Sequence, residues 1–361
     1  MGSHHVLKRD QQLSYPKSIV SGVLFRVDVG PGIGLGHIHR NLGLAEALSQ
    51  INIPSSFLVT NSESIASGVT RYGFSLENLG EIKAGTTEDA ESVITTAASR
   101  NCSIVVVDSY AVGSAYISHL RSSGLLVVVI ADEACQETNA NVLVNGGAHA
   151  LTLDYRSVSN DTKFFLGPKY ALLRPEFWNC SPRSMSTSVR RLLLTVGGDD
   201  PWKLTERLVE WLAGRLNVDT RLDVVVGPFF TSEGVIRRAV EASPVNIRII
   251  TAPDHLHGLM MQCDLAVCCG GQTAYELAAT GTPAVAMDIV KNQSLGVKAL
   301  GRSGALIYGG CPSEDTLPDE LDIAFVEAAD QSCRQQLSSS GQALIDGRGA
   351  IRLAHEIANE F

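Results

Sequence analysis

Charge is scarce in this chain, and what there is leans negative. Only 19% of its 361 residues are Asp, Glu, Lys or Arg, 29 basic against 38 acidic, for a net charge of -9. Without a basic block the chain is repelled by phosphate backbones and anionic membranes, so nucleic acid is not expected as a partner. Any anionic ligand must be held by a local site. No apolar run approaches the roughly 18 residues of a membrane helix, and Met1-Gly-Ser-His-His-Val-Leu-Lys-Arg-Asp10 lacks the apolar segment of a signal peptide. Residues 1–21 therefore read as a leader or flexible N-terminus, with His4 and His5 part of it and not a metal site. None of the eight cysteines (Cys102, Cys135, Cys180, Cys263, Cys268, Cys269, Cys311, Cys333) forms a C-x-x-C pair. Buried, reduced thiols of a cytoplasmic protein are expected.

Apolar residues, in contrast, make up 45% of the chain, ample for a core. They fall in short runs: Gly22-Val-Leu-Phe-Arg-Val-Asp-Val29, Ser55-Ser-Phe-Leu-Val-Thr60, Ser103-Ile-Val-Val-Val-Asp108, Leu125-Leu-Val-Val-Val-Ile-Ala-Asp132, Asn141-Val-Leu-Val-Asn145 and Lys163-Phe-Phe-Leu-Gly167. β-Branched runs with little polar alternation predict strands covered by helices on both faces. Helical stretches such as His37 to Gln50 and Val112 to Ser123 lie between them. The rhythm breaks at the polar stretch Trp178 to Ser188 and restarts with Arg190-Arg-Leu-Leu-Leu-Thr-Val-Gly197. The expected organisation is thus α/β, with two doubly wound Rossmann-like domains facing one cleft, residues 22–178 and 190–345. A linker at 179–189 joins them and a helix at 346–361 closes the chain. Ligands belong at the carboxyl ends of the two sheets.

Four loops could carry chemistry. The first is Val27-Asp-Val-Gly-Pro-Gly-Ile-Gly-Leu-Gly-His-Ile-His-Arg40, a strand ending at Asp28, a turn with Gly30, Gly32, Gly34 and Gly36, and a helix beginning near His37. Glycines let backbone approach a ligand, and a helix N-terminus offers free N–H groups. His37, in the first helical turn, is expected to face the cleft as a neutral general base, its pKa depressed by the helix dipole. Arg40 at i+3 shares that face, whereas His39 at i+2 points about 160° away and is expected to be a bystander. The second loop, Cys269-Gly-Gly-Gln-Thr-Ala-Tyr-Glu276, would present N–H groups and a hydroxyl to a diphosphate. Thr273 and Glu276 fit either a capping box or a Glu276 that accepts from ribose hydroxyls. The third, Val196-Gly-Gly-Asp-Asp-Pro201, contacts phosphate or sugar, or is a simple turn. The fourth joins Asp108-Ser-Tyr110 with Asp132-Glu133, carboxylates that could bind sugar hydroxyls or a cation. Asp254-His-Leu-His257 suits surface or capping use.

Several signatures are missing. There is no G-x-S-x-G elbow, no P-loop, no His-x-x-x-His, and Gly32-x-Gly34-x-x-His37 lacks the third glycine of a dinucleotide fingerprint. A dehydrogenase is disfavoured, and no cofactor or metal is expected.

The chain resembles the UDP-2,4-diacetamido-2,4,6-trideoxy-β-L-altropyranose hydrolases of pseudaminic acid biosynthesis. The resemblance is carried by Phe25-Arg-Val-Asp28, Ile33-Gly-Leu-Gly-His-Ile-His-Arg40, Asp108-Ser-Tyr110, Asp132-Glu133, Gly167-Pro-Lys-Tyr-Ala-Leu-Leu-Arg-Pro-Glu-Phe177, Gly197-Gly198, Gly270-Gly-Gln-Thr-Ala-Tyr-Glu276, Gly281-Thr-Pro283, Asn292-Gln293 and Asp346-Gly-Arg-Gly349. It implies a glycosyltransferase B fold and metal-independent, inverting water attack at the anomeric carbon of a UDP-(amino/deoxy)sugar. It implies catalytic roles for His37, Tyr110 and Asp28, with Tyr110 near the sugar. Substrate contacts would come from Arg26, Gly34, Gly36, Arg40, Asp108, Gly198, Gly270, Gly271, Gln272, Thr273, Glu276, Asn292 and Gln293. The alternative is a glycosyltransferase of the same fold, in which an acceptor hydroxyl or amine replaces water.

Overall fold

The computed structural model describes residues 21–30, 32–60, 66–134, 137–200, 202–231, 233–241, 243–253, 255–289 and 291–360, with the backbone alone at 66, 67, 291, 292 and 360. Its first half alternates strands and helices: β1 (Val23–Val27), α1 (Gly36–Gln50), β2 (Ser55–Val59), α2 (Ala66–Arg71), β3 (Ser75–Asn78) and α3 (Thr87–Ser99). Then come β4 (Ile104–Asp108), α4 (Ser114–Ser122), β5 (Leu126–Ile130), β6 (Val142–Asn145) and β7 (Lys163–Leu166). The second half runs β8 (Arg191–Thr195), α5 (Leu204–Ala213), β9 (Arg221–Val226), α6 (Glu233–Glu241), β10 (Asn246–Thr251), α7 (His257–Gln262) and β11 (Leu265–Cys269). It ends with α8 (Gln272–Ala279), β12 (Ala284–Met287), α9 (Lys291–Arg302), β13 (Ile307–Tyr308), α10 (Asp319–Ala329), α11 (Gln331–Leu344) and α12 (Gly349–Glu360).

Two parallel sheets result, ordered β3-β2-β1-β4-β5-β6-β7 and β10-β9-β8-β11-β12-β13. Both are doubly wound, as the alternation predicts. Their central strands are apolar and buried along their length because helices pack on both faces. In the first sheet the winding direction reverses between β1 and β4; in the second it reverses between β8 and β11. A crevice opens beyond the carboxyl ends of strands at such a reversal. The loops that follow β1, β4, β8 and β11 therefore meet, and these loops carry the glycine turns and Asp108. The chain's last helix does not stay with the second sheet. Ala350, Leu353, Ala354 and Ile357 of α12 are buried in the core beside α1 and β1. Among the described residues no helix is long and apolar enough to cross a membrane.

One charged group breaks the apolar pattern of β1. Arg26 is fully buried, donating to both oxygens of Asp89 at 2.8 and 2.7 Å and to Asp28 at 2.6 Å. Tyr116 also donates to Asp89, and Asp28 accepts from Ser109. Removing Asp89 strands two buried Arg26 donors and the Tyr116 hydroxyl and leaves Asp28 as the sole described partner of the Arg26 charge. Asp89→Ala is expected to cost about 3–5 kcal/mol, read as a lower urea midpoint. A midpoint equal to that of the parent would contradict the pairing.

Candidate active site

The two sheets share a cavity of about 520 Å³, well within the size range of small-ligand sites. The N-terminus of α1 enters from one side and that of α8 from the other. A Cβ on Gly36 would lie 3.7 Å from Gln272 Cβ, so the two helix starts are neighbours. Both aim their free N–H groups and partial positive charge at the same space.

On the β1/β4 side, His37 is the second residue of α1 and is buried. Its Nδ1 lies 2.6 Å from Asp108 Oδ1 at the end of β4. Asp108 also accepts from Arg40 Nε (2.7 Å) and Nη2 (2.5 Å) and from Asn41 Nδ2 (2.6 Å), Asn41 being one turn beyond His37. Burial on its own would raise the Asp108 carboxyl. The charges and hydrogen bonds of Arg40 and His37 outweigh it and hold the group well below the usual carboxylate range. An ionised carboxylate only accepts, so Nδ1 is a protonated donor, and in the neutral imidazole Nε2 is the nitrogen that carries the lone pair. Nε2 has no hydrogen-bond partner among the described residues, and His37 lines the cavity. Arg40 also donates to Asp132 at 2.5 Å, and the two carboxylates hold its guanidinium charged despite burial. Tyr110 donates to the other Asp132 oxygen at 2.5 Å, its ring edge-on to His37 with centroids 4.8 Å apart. A cation between Asp108 and Asp132, one expectation for the fourth loop, is displaced by Arg40, whose guanidinium already occupies that role.

On the β8/β11 side, Gly270 and Gly271 close β11 before α8. Gly271 has φ +96°, which favours glycine, and a Cβ on Gly270 would sit 2.3 Å from Val297 Cγ2. Thr273 is the second residue of α8 and the cap position is Gly271 without a side-chain bond, so the capping box is not formed. Glu276 instead pairs with Arg174, whose Nη2 is 3.2 Å away. Burial raises the Glu276 carboxyl above its ordinary value although Arg174 lies beside it. The Gln272 side chain donates to Leu172 O at 2.7 Å. After β8, Asp199 accepts from the Gly32 N–H at 3.0 Å across the cleft, and Asp200 accepts from the first N–H groups of α5. The third loop is thus a bridge and a helix cap more than a simple turn.

The cavity brings together His37, Tyr110, Gly34, Gly36, Arg40, Gly198, Gly270, Gly271, Gln272, Thr273, Glu276 and Gln293. Asp108 stands behind His37 and holds it. Arg26 and Asp28 are corrected: both are buried, satisfied by each other, Asp89 and Ser109, and absent from the cavity wall. The Asn292 side chain, Pro31, Cys135, Pro201 and Asp254 lie outside the described residues. Asp132, His149 and Arg174 join the wall without having been chosen as site residues.

His39 diverges from His37 as helical geometry expects, and because the cavity wraps around the start of α1 both residues line it. Burial, with the Arg174 and His255 charges nearby, pushes its imidazole well below the ordinary range. Below about pH 6.5 the unfolded chain binds a proton there that the folded chain refuses. Stability attached to His39 is therefore lost as pH falls through that value, by at most about 1.4 kcal/mol per pH unit. His39→Asn is expected to flatten the fall in urea midpoint between pH 7.5 and 5.5. Parallel profiles for the two proteins would contradict this.

No protein-family model matches the chain. It is 26% identical over 266 residues to an uncharacterized protein of Methanocaldococcus jannaschii, covering 71% of this chain and 53% of that protein. It is 24% identical to the spore coat polysaccharide biosynthesis protein SpsG of Bacillus subtilis, covering 90% and 94%. A 28% identity over 193 residues links it to the pseudaminic acid cytidylyltransferase and UDP-2,4-diacetamido-2,4,6-trideoxy-beta-L-altropyranose hydrolase of Helicobacter pylori, covering 52% and 34%. The chain thus spans about half the length of the archaeal relative and a third of the Helicobacter one. Among solved structures it superposes on MurG of Acinetobacter baumannii with TM-score 0.64, 16% identity and 94% and 100% coverage. The UDP-GlcNAc 2-epimerase of Neisseria meningitidis bound to UDP-GlcNAc gives 0.60, 10%, and 94% and 100%. The fold is the glycosyltransferase B fold.

Proposed function

We propose that this chain hydrolyses a UDP-sugar, with His37 as the base that activates water. The observation that carries the reading is the pairing of His37 Nδ1–H with Asp108, which leaves Nε2 as a lone pair inside the cavity that also receives the start of α8. Nε2 takes a proton from water while the water oxygen bonds to the anomeric carbon. The anomeric C–O bond breaks, and its electron pair leaves on the β-phosphate oxygen of UDP. Attack opposite the leaving group inverts the anomeric centre. The N–H groups at Gly271, Gln272 and Thr273 and the positive end of α8 would stabilise the charge that develops on the diphosphate. Glu276 would accept from the ribose hydroxyls, and Tyr110, fixed by Asp132, would close over the sugar beside His37. Gln293 and Gly198 would border the phosphates. The Helicobacter relative, named for such a hydrolase, and the UDP-GlcNAc bound in the Neisseria epimerase support a UDP-sugar as substrate.

Glycosyl transfer is the second reading, favoured by the fold shared with a glycosyltransferase of Rickettsia africae. The test is UDP release from a panel of UDP-sugars, with chelator and without acceptor. Equimolar UDP and free sugar support hydrolysis. Tight UDP binding without release supports transfer and overturns the hydrolytic reading.

A further inference from the structure

Buried polar atoms in folded proteins nearly always have a partner. His149 Nδ1 has none among the described residues, although the residue is only 4% exposed. The ring is held from its other side, where Nε2–H donates to the backbone carbonyl of Asp132 at 2.8 Å. With Nε2 protonated, Nδ1 is a bare acceptor. A tight turn aims it. Gly147 donates to Asn145 Oδ1 and Ala150 to Gly147 O, and the ring stands so close over Gly147 that a Cβ there would lie 2.8 Å from Nδ1. Tyr275 comes from the opposite domain. Its Oη accepts from the Ala148 N–H at 3.0 Å, which leaves its own O–H to donate. Between the two groups stands Gly296 of α9. A Cβ at that position would be 3.3 Å from Tyr275 Oη and 3.6 Å from His149 Nδ1. All four residues that frame this corner (Gly147, His149, Tyr275, Gly296) line the cavity.

We infer that His149 Nδ1 and Tyr275 Oη, which meet on the cavity wall where Gly296 approaches both, form a subsite for a polar substituent of the sugar. The substituent carries an O–H or N–H donor for Nδ1 and accepts from Tyr275. His149 then determines which sugar is taken, separately from the nucleotide grip at α8. This rests on the UDP-sugar reading above.

Two variants test it. His149→Gln keeps an N–H for the Asp132 carbonyl and removes the acceptor. Gly296→Ala puts a methyl against Tyr275 Oη and His149 Nδ1, in a helix that tolerates alanine well. Calorimetry would compare both with the parent, using UDP, UDP-glucose, UDP-galactose and UDP-N-acetylglucosamine. The expected result is UDP affinity within about threefold in all three proteins, and a loss of about tenfold or more in both variants for the sugar the parent binds best. UDP and UDP-sugar affinities that fall together would show a structural role and overturn the subsite, as would UDP-sugar affinities unchanged in both variants. A parent that binds no UDP would overturn the UDP-sugar reading itself, and the subsite with it.

Discussion

His37→Ala is expected to lower turnover of the UDP-sugar by about 10³-fold, within the range for loss of a general base, while UDP affinity stays within about threefold. The asymmetry follows from where the groups sit. His37 projects from the first turn of α1, whereas the proposed diphosphate cradle, Gly270, Gly271 and the start of α8, belongs to the other domain. Deleting the imidazole removes the acceptor for the water proton and none of the N–H groups offered to phosphate. Turnover measured under single-turnover conditions, beside UDP titration by calorimetry, separates the two quantities. A variant with the parent's rate would take the base away from His37.

Asp108→Asn should come next in size, a loss of about 10²–10⁴-fold in turnover. Asp108 touches no substrate in this account; it positions His37. Its charge makes Nδ1 the donor, which in the neutral imidazole leaves the lone pair on Nε2. An amide at 108 can turn either its oxygen or its NH2 group toward Nδ1, and the second choice puts the proton on Nε2. Because the pair acts as a unit, the double variant with His37→Ala should be scarcely worse than His37→Ala on its own. A merely structural role for Asp108 predicts the opposite, two independent losses that multiply. Arg40 makes the distinction readable, since Asp132 still pairs with it when the Asp108 charge is gone.

Much of this arrangement is legible in the sequence, because the strands here are buried on both faces and announce themselves as apolar runs. Strand β3 is the instructive exception. Ser75-Leu-Glu-Asn78 lies at the sheet edge, where one side needs no apolar cover, and its composition does not separate it from a loop. Both glycine turns and His37 were readable because backbone approach and a helix start impose residue types locally. Arg26 and Asp28 misled for a related reason. Closeness to a strand's end says nothing about which face of the sheet a side chain takes, and both turn to Asp89 and Ser109. Helical geometry gives the direction of His39 but not the shape of the space around the helix, which brings it to the cavity wall as well. His149 had a usable signal. Asn145-Gly-Gly-Ala-His149 follows a strand end with a double glycine, as Cys269-Gly-Gly-Gln272 does, but its partner Asp132 O is a backbone atom that no motif can show.

The central claim is that water held by His37 attacks the anomeric carbon. Hydrolysis of the best UDP-sugar in H2¹⁸O, with chelator and no acceptor, tests it by showing which bond is broken. The account predicts one ¹⁸O in each free sugar, none in UDP, and the inverted anomer in the first proton NMR spectra. Label in the UDP phosphate would mean that the P–O bond is cut, and no product without an acceptor would mean that water is not the nucleophile.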